Sequence, residues 1–460
     1  MLYFRERESE KLRRFICSNQ KAMALYARRR VGKTELILDY ISHNPSDGIL
    51  YFQCGSYDYR VCLEDFASVL KPVIGHDSIL DSLKSFRDMI SYVSEISSDV
   101  KCVVIDEFPF LCKKQESAVV EFQWIIDHGL GNLKLILLGS NISFMENQLN
   151  DREAPLYGRF DEILEILPFS FPEVKQLFEN FEDAVTVYSM TGGVAQYVML
   201  FTEYDSVSLA AAELFFNKNG RLFHEAANLL MQELREVASY SSILRSIAGG
   251  EKTSGQIAGK CGMDPRGIYT YLNKLIDLHI VTMVENPLST RKTDKRYRIR
   301  DGLFRFSFTF IEPNLSMITA LGAQSIKFIL DNKFREYLGS LYEDIVRESL
   351  FSLAAEAALP FMPQNTGKWW GNIPQDDVWG ETEVDVIAYN DTDILLGECK
   401  YKNKVVGLKE YELLRLKAQF IQTKGRKTHF LLAAKNGFTD ELKALSDVIL
   451  LEGISPIPSI

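Results

Sequence analysis

The chain has 460 residues, 46% of them hydrophobic and 25% charged, and a net charge of −10. That length has room for about three domains, and the acidic balance excludes a protein drawn to nucleic acid by its overall charge, so any such contact needs a local basic patch. The seven cysteines, at 17, 54, 62, 102, 112, 261 and 399, never fall at C-x-x-C spacing, which excludes a zinc ribbon and a disulfide scaffold and fits a reducing compartment.

The opening residues, MLYFRERESEKLRRF, carry charge too early for a signal-peptide core, and no apolar run reaches the roughly 18 residues that span a bilayer. A cytoplasmic chain without a membrane partner is expected. Over residues 1–170 apolar runs alternate with amphipathic segments, as in βαβ units. AMALYA (22–27) is expected as a strand and TELILDYISH (34–43) as a helix. GILYFQCG (48–55) is a second strand, and LEDFASVLKPVIG another helix. DVKCVVIDEF (99–108) and NLKLILLGS (132–140) are continuous apolar runs, suited to strands buried on both faces of a parallel sheet.

The first strand runs into YARRRVGKTELIL (26–38). Ala27, Arg28, Arg29, Arg30, Val31, Gly32, Lys33 and Thr34 form the pattern of a phosphate loop, with alanine in the place of its first glycine. In such a loop the backbone N–H groups and the following helix N-terminus face the phosphates. Lys33 reaches the β and γ phosphates and Thr34 ligates Mg²⁺. CVVIDEF (102–108) ends a strand in two acids. Asp106 is placed to hold the Mg²⁺ and Glu107 to polarise the attacking water. LILLGSNIS (135–143) ends in Ser140 and Asn141, which could sense the γ-phosphate. PLYGRF (155–160) sets Arg159 in a loop, either as an arginine finger acting in cis or in trans, or as an ordinary surface arginine.

FRERESEKL, RRRVGKT, VVIDEFPFL, LLGSNISFM, PLYGRF…LPFSF and TGGVAQYV follow in that order. Together they resemble the archaeal-type P-loop ATPases, relatives of the AAA+ and STAND nucleotide switches, over most of residues 1–235. The resemblance implies an ATP site and places Phe4 and Arg5–Glu6 near the adenine. It makes TGGVAQY (191–197) the counterpart of a Gly-Gly-x-Pro lid motif, with Ala195 in the proline's place.

Residues 172–235 read as helical. Between 242 and 300 the pattern is three helices and a hairpin, with apolar positions Ile243, Leu244, Ile247, Ile257, Ala258, Ile268, Tyr271, Leu272 and Leu275 forming one small core. This is winged-helix patterning. Its wing, STRKTDKRYRIR (289–300), offers Arg291, Lys292, Lys295 and Arg296 to nucleic-acid phosphates. The other reading is a structural joint.

Residues 315–350 are again helical, and strand patterning returns at 379–401 and 427–434. GETEVDVIAYNDTDILLGECKYKN (380–403) places Asp385 on one strand of a hairpin and Glu398-x-Lys400 on the next. Alternation sends Glu398 and Lys400 to one face and Cys399 to the other. Paired carboxylates can hold a divalent metal beside a phosphodiester, and the lysine can orient water. The pattern resembles the PD-(D/E)XK nuclease superfamily, with Glu343 of SLYEDIVRESL as the further acid. The segment order, KWWG included, resembles the domain of unknown function that ends many of these ATPases. Trp369, Trp370 and Trp379 either stack on bases or pack a loop.

The expected fold is α/β: a P-loop parallel sheet (1–170), a helical lid (171–236), a winged helix (237–304) and a restriction-endonuclease-like domain (305–460). Two functions stay open. One is an ATP-hydrolysing protein that couples its nucleotide state to binding or cutting of DNA or other nucleic acid. The other is a non-cleaving ATP-dependent switch with a silent C-terminal site. A homo-oligomer is compatible with both.

Overall fold

A computed structural model of the chain describes residues 3–55, 58–75, 78–289, 295–375 and 378–456. The chain divides into two compact units: Met1–Ser170 with Val194–Met199, and Phe171–Gly193 with Leu200–Ile460. The sequence pattern also suggests boundaries at 236 and 304, whereas the segments on either side of those points lie in one unit.

The first unit is built on five parallel strands, β1 (Ala22–Ala27), β2 (Ile49–Gln53), β3 (Cys102–Asp106), β4 (Lys134–Gly139) and β5 (Glu162–Ile166), in the order β2-β3-β4-β1-β5. β1 and β3 are buried at every residue, as their unbroken apolar sequences require of central strands. β5 was not anticipated. It lies at the sheet edge and pairs only with β1, from Met23↔Glu162 to Ala27↔Ile166. Only one side of this edge strand is well covered: Leu164 and Ile166 are buried, while Ile163 on the other side is exposed. The core packs Phe66, Phe86, Phe108 and Phe122 ring against ring beside the β2–β3–β4 strands.

The second unit begins with helices, among them Phe181–Thr191, Val207–Phe215 and Glu225–Glu233. Helices Val237–Ile247, Ser254–Cys261 and Ile268–Asp277 follow, then the antiparallel hairpin β6 (Val281–Glu285) and β7 (Lys295–Ile299). The middle helix starts where the sequence encodes it, with Thr253 and Gln256 forming a reciprocal capping box. Of the nine apolar positions read from the sequence as the core of this segment, eight are buried; Tyr271 is half-buried, and its hydroxyl reaches out to donate to Glu236 at 2.7 Å.

The C-terminal part is a six-stranded mixed sheet. Its strands are β8 (Asn365–Gln375), β9 (Val378–Tyr389), β10 (Asp393–Lys400), β11 (Lys427–Ala434), β12 (Val448–Glu452) and β13 (Ser455–Pro456), in the order β13-β12-β11-β10-β9-β8. β8 to β10 form an antiparallel meander, and β11 joins β10 in parallel through the helix Leu408–Ala418. The long helix Asp331–Ala355 covers one face through Tyr342, Val346, Leu350 and Leu353. Tyr411 and Leu414 of the other helix cover the opposite face. Ile394 and Leu396 side with the second cluster, Leu395 and Cys399 with the first. The alternation expected for E-C-K therefore holds. Among the described residues no helix is long and apolar enough to cross a membrane, and all seven cysteines are free.

Gly192 ends the helix Phe181–Thr191 with a left-handed φ of 60°, and Gly302 meets it backbone to backbone. A Cβ on Gly302 would stand 2.4 Å from the Gly192 nitrogen. Gly302→Ala is expected to destabilise the protein by about 3 kcal/mol, because main chain cannot yield as a side chain does. The readout is a lowered unfolding midpoint. Gly339→Ala, within a helix and with open space at the Cβ, should leave that midpoint unchanged or raise it.

Candidate functional site

β1 ends at Ala27, fully buried and in strand register with Ile166. An extended residue has no need of glycine's freedom, which explains why alanine serves there. The left-handed positions come later, at Arg30 (φ 70°) and Gly32 (φ 99°). Gly32 opens the helix Lys33–His43, and no side chain caps that helix N-terminus. Its first N–H groups and positive dipole end thus suit an anion. Val31 is buried and Arg28 half-buried.

The side chains of the first helical turn converge on one carboxylate. Lys33 Nζ donates to Asp106 Oδ1 at 2.8 Å, and Thr34 Oγ1 to Asp106 Oδ2 at 2.7 Å. The Tyr51 hydroxyl, from the neighbouring β2, donates to the same Oδ2 at 2.8 Å, and the Glu107 N–H to Oδ1 at 2.7 Å. Asp106 has no solvent exposure and Lys33 only 6%. Burial by itself would raise the Asp106 carboxyl. The Lys33 charge and the donors Lys33, Thr34 and Tyr51 outweigh it and hold the group below the usual carboxylate range. Burial, then the Asp106 charge and hydrogen bond, push the Tyr51 phenol up, so it remains a donor. A lysine, a hydroxyl and a carboxylate at the mouth of an uncapped helix fit a triphosphate with magnesium, whose preference is for hard oxygen ligands.

Glu107 follows with a left-handed φ of 55°. Its Oε2 accepts from Ser140 Oγ at 2.6 Å, and its Oε1 lies 3.7 Å from Lys33 Nζ. β4 lies between β3 and β1 in the sheet, so Ser140 reaches the site from the strand between the two motifs. Asn141 serves the local fold instead. Its Oδ1 caps the helix Ile142–Asn150 by accepting from Phe144 N at 2.9 Å. Arg159 does not join the cluster on Asp106. Its Nε lies 3.0 Å from both oxygens of Asp127.

Two further segments brace the loop. Arg5, 4% exposed, donates to the carbonyls of Val31 and Leu167, both at 2.9 Å, and lies over the Phe169 ring. Phe4 meets Phe169 edge-on. The Gln196 N–H donates to Arg30 O at 3.0 Å, and the Arg30 guanidinium lies over Tyr197. Arg29 sits over Phe110.

In the C-terminal sheet the register sets Val386 against Gly397, which makes Asp385 and Glu398 neighbours on adjacent strands. Asp385 Oδ2 accepts from the Cys399 N–H at 2.9 Å. Lys400 Nζ donates to Glu398 Oε2 at 2.6 Å, and Lys417 Nζ, from the helix Leu408–Ala418, donates to Oε1. Glu343 lies 3.7 Å from Arg347. Burial first, and then the charge of Asp385, raise the Glu343 carboxyl; burial and Glu398 do the same to Asp385. The three acids are close enough to repel, yet the expected metal set is not assembled. Among the described residues no three His, Cys, Asp or Glu side chains are grouped to hold a metal ion, and both Glu398 oxygens face ammonium groups. These residues as arranged do not fit a divalent ion.

The basic hairpin is also committed within the unit. Arg296 pairs with Glu381 at 2.6 Å and Glu383 at 3.0 Å and lies over the Trp370 ring. Lys295 pairs with Glu285 across the hairpin at 2.9 Å. The expected contacts Arg291 and Lys292, and the Trp379 side chain, lie outside the described residues. Trp369 and Trp370 are buried, as in the packing alternative.

A family model described as an ATPase domain predominantly from Archaea matches residues 2–201, and one described as archaeal and bacterial proteins of unknown function matches 307–414. The uncharacterized protein MJECL04 of Methanocaldococcus jannaschii is 30% identical over 442 residues, covering 90% of this chain and 94% of that one. The chain belongs to this family of archaeal-type ATPase-domain proteins. Similar solved structures include the Aeropyrum pernix ORC2 protein in its ADPNP–ADP complexes, with 13% identity and a TM-score of 0.44 over 68% of this chain and 95% of that one. Cdc6p of Pyrobaculum aerophilum has 15% identity and a TM-score of 0.32 over 70% and 95%.

In this archaeal-type ATPase domain, Lys33, Thr34 and Asp106, which the sequence singles out, meet one another, and Tyr51, which it does not single out, joins them through the β2–β3 pairing. Lys417 was missed for a like reason, since its helix must fold back over β10. Asp344, the neighbour of Glu343, was also missed: it binds Arg298, Arg305 and Arg347 together and is held well below the usual carboxylate range despite burial. Arg347 lies one turn along the same helix, but nothing local signals that Arg298 and Arg305 arrive from elsewhere to join it.

Lys33→Met tests the pairing at the loop. In the native chain the depressed Asp106 contributes stability above its unfolded pKa of about 3.9, lost as pH falls through the lower folded value. Without the ammonium, burial dominates and raises that folded pKa, so the sign reverses. The variant should be less stable by about 3–5 kcal/mol at pH 7, with a deficit that narrows as pH falls from the variant's raised Asp106 value towards the lowered native one. Urea unfolding across that range measures it.

Proposed function

We propose that the chain binds and hydrolyses ATP at the Gly32–Lys33–Thr34 loop and uses its nucleotide state to control the second unit. The observation that carries the reading is the convergence of Lys33 and Thr34 on the buried Asp106, with Glu107 and Ser140 beside them. Ala27 through Thr34 would cradle the phosphates, and Thr34 and Asp106 would hold Mg²⁺. A bound magnesium nucleotide supplies the phosphoanhydride and the charge that the loop neutralises. Glu107 would take a proton from the attacking water, with its carboxylate directed by the hydrogen bond from Ser140. Arg159 would act only after leaving Asp127, in its own chain or in a second copy.

The control route follows the chain. Residues 194–199 belong to the first unit and touch the loop through Gln196 and Tyr197, while Gly192 and Gly193, just before them, belong to the second. Both glycines are left-handed. A change in the loop at Arg30 would therefore be passed along the backbone to the Gly192–Gly302 approach.

For the C-terminal region the order helix, β8, β9, β10, helix, β11, with Asp385 on β9 and Glu398-x-Lys400 on β10, supports a nuclease-like domain that recognises nucleic-acid phosphodiesters. The three helices and hairpin before it support a winged helix. Because Lys295 and Arg296 are committed to Glu285, Glu381 and Glu383, the winged helix works here mainly as a joint.

Glu107→Gln should retain a fluorescent ATP analogue with near-native affinity while lowering ATP turnover by roughly 100-fold or more. Phosphate release and fluorescence anisotropy measure the two quantities. Wild-type protein that binds no nucleotide, or a variant with unchanged turnover, would refute the reading.

A further inference from the structure

Glu398 is the glutamate of the E-x-K pair, and its carboxylate is already fully engaged. Lys400, two residues along the same strand, takes Oε2 at 2.6 Å. Lys417 takes Oε1 and donates a second hydrogen bond, at 2.6 Å, to the Glu383 carbonyl on β9. The two lysines differ in freedom. Lys400 sits at the end of β10 with 22% of its side chain exposed, whereas Lys417 is 8% exposed and projects from a helix that packs on the sheet. The carboxylate of Glu383 offers Lys417 no second home, since Arg296 and Lys368 hold it.

We propose that the buried Lys417 ammonium stands in the cation position of this carboxylate centre, closing it to divalent metal, so that the domain holds nucleic-acid phosphodiesters without cutting them. The proposal rests on the nuclease-like reading of the C-terminal region. Charge supports it. The three acids Glu343, Asp385 and Glu398 are matched by Arg347, Lys400 and Lys417, with Arg347 also donating to the Asp385 carbonyl. A divalent ion would approach two ammonium groups already on Glu398 and would need an oxygen at about 2.1 Å that Lys417 occupies. Displacing Lys400 is easy because it can turn to solvent. Displacing Lys417 would leave a charged group buried without its carboxylate, which proteins avoid. The more exposed ammonium of Lys400, once turned from Glu398, suits a phosphate oxygen.

The test is Mn²⁺ titration of the full chain without nucleotide, by calorimetry, on wild type, Lys417→Met, Lys417→Gln and each combined with Glu398→Gln. Wild type is expected to show no Mn²⁺ site that Glu398→Gln removes. Lys417→Met should gain one such site, at least 10-fold tighter than any wild-type uptake, and Glu398→Gln should abolish it. Lys417→Gln keeps a donor for the Glu383 carbonyl and gives the same gain if the methionine variant unfolds. A Glu398-dependent Mn²⁺ site in wild type, or folded Lys417 variants that gain none, would overturn the proposal. So would Mg²⁺-dependent cleavage by wild type that is lost in Lys400→Ala. Anisotropy of a labelled oligonucleotide in EDTA separates the underlying reading: binding that weakens with salt supports it, and no binding defeats that reading while leaving the metal result to stand.

Discussion

The carboxylate of Asp106 is the constraint on which the first unit is organised. A buried acid without partners would neutralise itself or unfold its surroundings. Here four donors reach it from three strands' worth of chain: Lys33 and Thr34 after β1, Tyr51 within β2, and the Glu107 N–H after β3. Satisfying that group fixes the relative register of β1, β2 and β3 at their C-terminal ends, where ligands bind in open α/β sheets. The arrangement also explains how the loop can stand ready. On the proposed ATP reading, Lys33 and Thr34 would be drawn to a phosphate and its metal, while Tyr51 and the Glu107 N–H would continue to hold the acid.

The second unit makes a different use of charge. Asp344 gathers Arg298 from the hairpin, Arg305 from the following helix and Arg347 from its own helix. Arg296 ties the same hairpin to β9 through Glu381 and Glu383. Asp344 and its three arginines are largely removed from water, so their geometry matters more than that of surface pairs, whereas Glu381 and Glu383 are exposed. The basic character of the hairpin, which reads as a nucleic-acid surface when only its own strand is considered, is spent in part on holding the unit together.

How much of this was legible follows from range. Gly32-Lys33-Thr34 and Asp106-Glu107 carry their chemistry in adjacent residues, and β1 and β3 announce themselves as unbroken apolar runs. The alternation that sends Glu398 and Lys400 to one face and Cys399 to the other is likewise local. β5 and β8 escaped notice because edge strands carry weaker signals, EILEI by its shortness and its two glutamates and NTGKWWGNIPQ by its glycines and proline. Tyr51, Arg5, Lys417 and Asp344 look ordinary in the sequence. Each acquires its role from distant partners or from several at once, as Arg5 does from carbonyls 26 and 162 positions away. The alanine at 27, which departs from the phosphate-loop formula, is the last residue of β1 as its place in AMALYA suggests, and the left-handed residues of the loop are Arg30 and Gly32.

A crystal structure with Mg²⁺ and a non-hydrolysable ATP analogue examines the central claim most directly. The account predicts triphosphate density along residues 27–34, Lys33 turned from Asp106 to the phosphates, and Tyr51 still bonded to Asp106. An analogue lodged elsewhere, with the Lys33–Asp106 pair undisturbed under saturating nucleotide, would contradict it.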